Sequence, residues 1–330
     1  MSERTIVNVV QLGGYRWVWG RLTDALHKHL DAQVLVSSGQ IVEADKYISM
    51  CPEYMAAIDP ANHKDTVCLV HHFEQAYNRT IDKRMCYIKQ AGSVVTMNGE
   101  VARLLNSRGI ECDIIGYGID PTLWTPTIQS HNPVIGVCGR NYDTGRKNPN
   151  GIVEVAKRVA QKAPNGAKFL FCGREWTGVV NQINDIDGIS ASNFEHQDDY
   201  SKYDQFYREI STLLSCSWVE GGPYPALEAL ASGRKVVSTP VGFMPELQSE
   251  CGDYVRLFEQ GNFNKAADDV LEPASDPFMC ARSIHHRYWR TECDKWSKIL
   301  GLGQKCQSLA LNEKKSWNKL CTKLETEIFS

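Results

Sequence analysis

Residues 220–233 read EGGPYPALEALASG, and the interpretation of the whole chain begins there. Pro225 suits the first turn of a helix, and Gly233 suits the position just after its last turn. A glycine-rich loop that leads into a helix offers free backbone N–H groups and the positive end of the helix dipole to an anion. The carboxylates of Glu220 and Glu228 suit hydroxyl groups instead of phosphate. The stretch therefore predicts a ligand with both phosphates and hydroxyls, such as a nucleotide sugar.

The composition is that of a globular protein of 330 residues, which is long enough for two domains. Hydrophobic residues make up 42%, and the net charge of -3 gives no overall attraction to nucleic acid or acidic membranes. The twelve cysteines include no Cys-x-x-Cys pair, so we expect reduced, packed thiols and no metal site. There is neither a signal-peptide core nor a long apolar run, which predicts a cytoplasmic protein without a membrane span.

Strand-like and helical patterns alternate along the first part of the chain. This alternation is typical of a parallel sheet with helices on both faces. The predicted strands are at residues 5–12, 33–36, 47–50, 67–70, 93–97 and 113–117. The predicted helices are at residues 17–30, 81–90 and 99–107.

After a linker at residues 121–133, the same alternation starts again. The predicted strands are at residues 134–138, 167–172, 216–219 and 235–238. The predicted helices are at residues 150–162, 205–214, 225–231, 262–270 and, as one or more segments, 278–300. We therefore predict an α/β fold with two Rossmann-like domains facing each other across a cleft, at residues 1–130 and 131–300. The terminal helices, including a basic amphipathic tail at about 301–330, would cross back to the first domain.

Residues 136–148 read GVCGRNYDTGRKN and form a second candidate site. The strand is predicted to end at Gly139, and Arg140, Arg146 and Lys147 follow it. Cations at the carboxyl end of a strand, near a loop that leads into a helix, suit a pyrophosphate. A solvated basic loop is the alternative.

The order of these parts resembles the family 4 glycosyltransferases, which have the GT-B fold. A Gly13-Gly14 pair follows the first strand, the Arg–Lys loop opens the second domain, and two glutamates eight apart precede and enter a helix. Residues 116–126 (GYGIDPTLWTP) are similar to the family segment that closes the first domain, and residues 238–246 (STPVGFMPE) to a loop of its second domain. Residues 287–289 (RYW) lie where the crossover helix of the family carries an aromatic residue.

This resemblance implies a role for each candidate residue. Glu228 would accept hydrogen bonds from the ribose, and Glu220 would hold hydroxyls of the donor sugar. Arg140 and Lys147 would stabilise the leaving diphosphate without a metal. Arg146 is the alternative to Lys147, because the family commonly places its basic pair six apart and these two are seven apart. The other residues implied in donor binding are Gly13, Gly14, Gly221, Gly222, Tyr224, Pro225, Ala226 and Leu227.

His71 and His72 follow the predicted strand at 67–70. In the family, a histidine at such a position lies near the donor sugar and the acceptor, where a neutral imidazole can bond a hydroxyl or take up a proton. The alternative is a structural pair at the edge of a domain. Strand alternation directs the two side chains to opposite faces, so one of them is expected at the site. The sequence does not choose between them.

The resulting hypothesis is a glycosyltransferase, for hexosyl or pentosyl groups, that uses a nucleotide-diphosphate sugar, with UDP as the first expectation. The resemblance implies retention of configuration. A short first domain, compressed at residues 40–90, favours an open site for a large acceptor such as a glycan or a modified nucleic-acid base, although lipids and small molecules stay possible. The alternatives are another GT-B enzyme such as an epimerase or hydrolase, a non-catalytic nucleotide-binding protein, and an oxidoreductase. The last is disfavoured because Gly13-Gly14 lacks the full G-x-G-x-x-G pattern.

Overall fold

The structure is a computed structural model that describes residues 4–11, 18–73, 78–128, 132–196, 199–272 and 276–302. The chain divides into two units. The first unit contains the described residues of Met1–Gly118 and Arg287–Lys314, and the second contains those of Ile119–His286. In the described residues each unit has one parallel sheet of six strands, so the predicted two-domain α/β fold is confirmed.

The sheet of the first unit has the strand order β2-β1-β3-β4-β5-β6. All five residues of its β4 strand are buried, as expected for a parallel sheet covered on both faces. The strands are β1 (Ile6–Val10), β2 (Gln33–Ser37), β3 (Lys46–Ser49), β4 (Thr66–Val70), β5 (Ser93–Thr96) and β6 (Asp113–Ile114). The helices are α1 (Val18–His29), α2 (Asn78–Ile88), α3 (Gly99–Ser107) and the late helix α11 (Trp289–Ile299), which packs on α1.

The sheet of the second unit has the order β12-β11-β10-β7-β8-β9. The strands are β7 (Val134–Cys138), β8 (Ala167–Cys172), β9 (Ile189–Asn193), β10 (Thr212–Ser215), β11 (Lys235–Ser238) and β12 (Val255–Leu257). The helices are α4 (Pro149–Lys162), α5 (Thr177–Asn184), α6 (Tyr203–Glu209), α7 (Tyr224–Ala231), α8 (Met244–Cys251), α9 (Phe263–Leu271) and α10 (Pro277–Ser283). Apolar residues of β7, β8, α4, α5 and α9 form its buried core.

Two elements of the second unit were predicted wrongly. The helix expected at 205–214 ends at Glu209, and the strand expected at 216–219 is instead a loop that follows β10. The apolar residues just after α6 pair with β7 and β11. Such a short apolar run fits a buried strand and a buried helix equally well by periodicity alone. Strands β9 and β12 and helices α5 and α8 were not anticipated.

The limits of the units differ from the expected limits at the ends of the linker and of the late helices. Residues 119–128 lie with the second unit, where the Trp124 ring packs edge-on against Tyr200 and Tyr207. Residues 287–302 lie with the first unit, where α11 packs on α1. The tail beyond residue 302 is outside the described residues. Within the described ranges, no helix combines the length and apolarity needed to cross a membrane.

Candidate functional site

The carboxyl ends of β7 and β10 mark the point where the strand order of the second sheet reverses. The chain runs from β7 outward through β8 and β9 on one side, and from β10 outward through β11 and β12 on the other. In open parallel sheets, ligands bind outside the carboxyl ends of the strands at such a point. The loop with the basic residues follows β7, and the loop with Glu220 follows β10.

Glu220 is buried in the loop after β10, with 8% of its surface exposed. The Nζ atom of Lys147 donates to its Oε1 atom at 2.6 Å, and the hydroxyl of Ser217 donates to the same oxygen at 2.9 Å. Arg146 lies with Nη1 3.7 Å from Oε2. Burial alone would raise the pKa of this carboxyl, but the two cations and the hydrogen bonds outweigh it and lower the pKa to about 2. Glu220 is therefore a fixed anion between two cations.

The loop that carries Glu220 is held by its backbone. Gly242, in the loop after β11, has a φ of +59°, and a Cβ atom there would lie 2.7 Å from the carbonyl oxygen of Gly221 and 2.9 Å from that of Glu220. The carbonyl oxygen of Ser217 accepts hydrogen bonds from Thr239 and from Gln260, each at 2.7 Å. The loops after β10 and β11 are thus packed directly against each other, which fixes the position of the carboxylate.

Glu228 lies on helix α7 and is 1% exposed. The Tyr207 hydroxyl donates to its Oε2 atom at 2.6 Å, and the Tyr200 hydroxyl donates to Oε1 at 2.9 Å. Burial, together with Cys138 and Glu228, raises the pKa of the Tyr207 phenol well above its usual value. Tyr207 is therefore a neutral hydrogen-bond donor at every physiological pH. The two partners seen here are uncharged, in contrast to the cations around Glu220.

Helix α7 begins at Tyr224, with Pro225 in its first turn, and ends before Gly233. A small pocket at this end of the helix is bounded by Lys147, Pro225 and Ala226 and by the ends of β7, β10 and β11. Free backbone N–H groups at the start of a helix attract anions. The cation of Lys147 and the start of α7 therefore border the same pocket.

The three basic residues of the loop after β7 have different partners. Lys147 and Arg146 both face Glu220, and the Arg146 guanidinium also lies 4.6 Å from the centre of the Tyr142 ring. Arg140 instead forms an ion pair with Glu175 at 2.7 Å, with about 40% of its side chain exposed. The structure thus brings both candidates for the second basic position to Glu220 and directs Arg140 to the loop after β8.

A close contact between the ends of β7 and β8 shapes this basic loop. Gly173 has a φ of +123°, and a Cβ atom there would lie 2.2 Å from the carbonyl oxygen of Gly139. The same carbonyl accepts a hydrogen bond from the Trp176 indole at 2.6 Å. At the other end of the loop, the side chain of Asn148 caps α4 by accepting from the N–H of Gly151 at 3.0 Å.

His71 follows β4 in the first unit and uses both ring nitrogens within that unit. Its Nε2 atom is 3.1 Å from the carbonyl oxygen of Met50, and its Nδ1 atom is 3.3 Å from the Tyr117 hydroxyl. Because a carbonyl only accepts, Nε2 carries the proton and Nδ1 accepts from Tyr117. Burial and the neighbouring His72 lower the pKa of His71 to about 3, although the contact with Met50 acts in the opposite direction. The ring also stacks on Trp19 at 5.5 Å.

The remaining first-unit candidates are less defined. His72 is half-buried, and its carbonyl oxygen accepts from Arg84 at 3.4 Å. Gly13 and Gly14 lie outside the described residues. The donor roles expected for them, and the choice between His71 and His72, stay predictions.

Sequence reasoning missed four residues of the site: Ser217, Tyr200, Tyr207 and Trp124. Tyr207 and Tyr200 precede Glu228 by 21 and 28 residues, so no local spacing indicates their contact. Ser217 stands three residues before Glu220, and that proximity was the one signal available in the sequence.

Residues 132–276 match the family described as Glycosyl transferases group 1. This chain is a glycosyltransferase, and its match to group 1 lies in the second unit. The fold of the glycosyltransferase is that of solved GT-B enzymes, although no curated protein matches it by sequence.

Three solved structures illustrate the likeness of fold. Anabaena HepE in complex with UDP and glucose has a TM-score of 0.69 at 13% identity, covering 91% of this chain and 100% of that one. The lipopolysaccharide outer core galactosyltransferase WaaB has a TM-score of 0.68 at 12% identity, covering 90% and 99%. Sucrose-phosphate synthase from Thermosynechococcus elongatus has a TM-score of 0.64 at 14% identity, covering 90% and 98%.

In the part of the chain that the structure describes, no three His, Cys, Asp or Glu side chains are grouped to hold a metal. Whether the glycosyltransferase works without a metal stays a prediction.

Proposed function

We propose that this glycosyltransferase transfers a sugar from a UDP-sugar to an acceptor hydroxyl with retention of configuration and without a metal. The observation that supports this most is the pair of buried carboxylates at the reversal point of the second sheet, one among cations and one among hydroxyl donors. The hydroxyls of a nucleotide sugar, on the ribose and on the transferred sugar, need hydrogen-bond acceptors. The diphosphate between them needs cations. HepE, which has a similar fold, was solved with UDP and glucose.

In the proposed complex, Glu228 accepts hydrogen bonds from the ribose hydroxyls and Glu220 accepts them from the transferred sugar. The backbone of residues 221–227 and the start of α7 lie along the diphosphate. Lys147 donates a hydrogen bond to the Glu220 carboxylate at 2.6 Å, and Arg146 forms an ion pair with it at 3.7 Å. They can therefore contact the diphosphate oxygens with a small side-chain movement.

The proposed reaction exchanges one bond at the anomeric carbon for another. The bond to the diphosphate oxygen breaks first, and Lys147 and Arg146 stabilise the negative charge that develops on the leaving UDP. The acceptor oxygen then attacks from the side that the diphosphate leaves, which retains the configuration. The proton of the acceptor hydroxyl passes to a phosphate oxygen of UDP, so charge and atoms balance.

Arg140 is proposed as a third cation for the diphosphate. In this structure it pairs with Glu175, but both side chains are about 40% exposed. Exposed ion pairs contribute little to stability, because water and salt screen them. A diphosphate with two negative charges can therefore compete with Glu175 for Arg140.

We infer a cytoplasmic location from the scattered cysteines, which suit a reducing compartment. We infer a large acceptor, such as a glycan or a modified nucleic-acid base, from the compressed region at residues 40–90. His71 is neutral in this proposal, because both its nitrogens have partners and burial lowers its pKa to about 3. It contributes by position and leaves proton transfer to the phosphate.

The experiment uses the full chain and a panel of nucleotide sugars. A UDP-sugar should raise the melting temperature, since a ligand that binds only the folded state stabilises it by mass action. Labelled sugar should then appear on a glycan or on modified DNA in the presence of EDTA, with the anomeric configuration read by NMR. Release of free sugar or of an epimer without any acceptor would favour the hydrolase or epimerase alternative. Stabilisation without turnover of any kind would favour a non-catalytic nucleotide-binding protein.

A further inference from the structure

Two tyrosines bond to the same buried carboxylate, one on each oxygen. Tyr207 donates to Oε2 of Glu228 at 2.6 Å, and Tyr200 donates to Oε1 at 2.9 Å. Both hydroxyls act as donors, which is also how the hydroxyls of a ribose would approach this carboxylate. The protein thus supplies from its own chain the kind of contact that the proposed ligand would make.

The surroundings of the two tyrosines differ. The Trp124 ring packs edge-on against both tyrosines, at 5.4 Å from Tyr207 and 5.8 Å from Tyr200. The difference is in burial: Tyr207 lies within helix α6 with 0% exposure, so its ring cannot leave without opening the core of the second unit. Tyr207 therefore stays on Oε2 when a ligand binds.

Tyr200 lies on a single three-residue turn, Tyr200–Lys202, just before α6, and its side chain is only partly buried. This turn is closed by the carboxylate of Asp199, which accepts from the N–H and the hydroxyl of Ser201 at 3.0 and 2.7 Å. The turn can therefore keep its shape while the Tyr200 ring rotates away, which breaks only its edge contacts with Trp124 and Tyr203 among the ring contacts described. Such a rotation would remove the Tyr200 hydroxyl from Oε1 and leave Oε2 bonded to Tyr207.

We propose that Tyr207 is a positioning residue that fixes Glu228 for a nucleotide ribose, and that Tyr200 occupies the place of a ribose hydroxyl and is displaced when the nucleotide binds. The inference rests on the proposed function, because it assigns Glu228 to the ribose. It adds that Tyr207 and Tyr200 have opposite effects on the affinity for the nucleotide. Removing the Tyr207 hydroxyl weakens binding, and removing the Tyr200 hydroxyl strengthens it.

The test compares UDP with 2′,3′-dideoxy-UDP, which lacks the ribose hydroxyls, by calorimetry on the full chain. The measured quantity is the affinity ratio of UDP to the dideoxy compound. Tyr207→Phe keeps the ring and should lower this ratio about 10-fold, because a hydrogen bond to a charged group is lost where the ribose binds. Tyr200→Phe should raise the ratio about 3-fold, because no hydroxyl then competes for Oε1. Binding of the dideoxy compound should be nearly unchanged in both variants.

Tyr203→Phe is the matched control. The Tyr203 ring packs against that of Tyr200, but its hydroxyl is directed to Cys172. Its ratio should equal that of the wild type. The inference is overturned if Tyr207→Phe weakens both nucleotides equally, which indicates a merely structural role, or if Tyr200→Phe lowers the ratio or leaves it unchanged. Tyr200 is partly exposed, so its variant folds even if that of Tyr207 does not, and the sign of its effect still decides.

The wild type separates this failure from failure of the proposed function. If it binds neither nucleotide, the proposed UDP-sugar donor is wrong, and the inference fails with it. If it binds both equally, the UDP donor stands, but Glu228 does not contact the ribose, and the inference fails alone. If it prefers UDP and Glu228→Gln abolishes the preference, the proposed site stands, and the two tyrosine variants alone decide the inference.

Discussion

Glu220 and Glu228 are eight residues apart and both buried, but the surroundings of their carboxylates differ in kind. Two cations and a hydroxyl surround Glu220, and they lower its pKa to about 2. The partners seen on Glu228 are two phenols. The first carboxylate belongs to an ionic network that an incoming diphosphate would rearrange. The second is held by neutral donors, and one of these can be exchanged for a hydroxyl of a ligand.

This difference separates ion pairs from neutral hydrogen bonds within one site. Around Glu220, removing a cation leaves the buried carboxylate with less compensation for its charge, which is destabilising. Around Glu228, removing a phenol changes the hydrogen bonding but not the charge balance. Substitutions near Glu220 should therefore affect stability and turnover, and those near Glu228 should mainly affect nucleotide affinity.

The largest effect is expected from Lys147→Ala. The buried Glu220 carboxylate loses its closest cation, so the free energy of unfolding should fall by about 3 kcal/mol. Turnover should fall about 1000-fold, because the leaving diphosphate loses a stabilising charge. Lys157→Ala is the control, since Lys157 pairs with Glu154 at 2.7 Å on an exposed helix face. It should change stability by less than about 1 kcal/mol and leave turnover intact. Equal effects of the two substitutions would contradict the ionic role of Lys147.

Gly242→Ala should have the next largest effect. The new Cβ would collide with the carbonyl oxygens of Gly221 and Glu220. The loop must therefore move, and the carboxylate of Glu220 moves with it. A displacement of about 1 Å in a catalytic group can lower turnover about 100-fold. Gly188→Ala is the control, because Gly188 also has a positive φ, +77°, but no atom within 4 Å of an added Cβ. Steady-state kinetics of the two variants measure the difference, and wild-type turnover in Gly242→Ala would refute the loop contact.

The pH dependence of stability reports on the Glu220 carboxylate. The pKa of Glu220 is about 2 in the folded protein, compared with about 4.3 for an ordinary glutamate. The unfolded chain therefore takes up the proton first, and the stabilisation by ionised Glu220 is complete above about pH 4.3 and disappears as the pH falls towards 2. The slope reaches about 1.4 kcal/mol per pH unit. Urea unfolding of Glu220→Gln should lack this component, and parallel curves for the two proteins would contradict it.

The smallest effect is a contrast in nucleotide affinity. Glu228→Gln should weaken UDP binding about 10-fold, because hydrogen bonds from ribose hydroxyls to a charged acceptor are lost. Glu220→Gln should change UDP affinity by less than about 3-fold, since its proposed partner is the sugar, which UDP lacks. Calorimetry with UDP measures both. The reverse ranking would exchange the two assignments.

The sequence predicted the parts of the site that depend on local chemistry. The start of α7 near Pro225 and its end before Gly233 follow from the preferences of proline and glycine at helix ends. The restarting alternation of strands and helices predicted two parallel sheets. The loops after β7 and β10 were identified as candidate sites because they follow apolar strands and carry charged residues.

What the sequence could not predict depends on contacts between distant residues. The phenols on Glu228 come from 21 and 28 residues earlier in the chain. The helix that carries Tyr207 was predicted to extend past its true end at Glu209, because the following apolar run could form either element. Likewise, the sequence left the choice between His71 and His72 open, since the partners of His71 are Met50 and Tyr117, each more than 20 residues away.

The contact of Gly242 with the loop of Glu220 has a consequence for how such enzymes diverge. It joins a glycine to main-chain carbonyls, and main-chain atoms are the same whatever side chains surround them. A site built this way tolerates extensive replacement of its neighbours, which suits a fold shared with enzymes at 12% to 14% identity. Among descendants of this chain, we expect position 242 to remain glycine after the aromatic residues near Glu228 have changed.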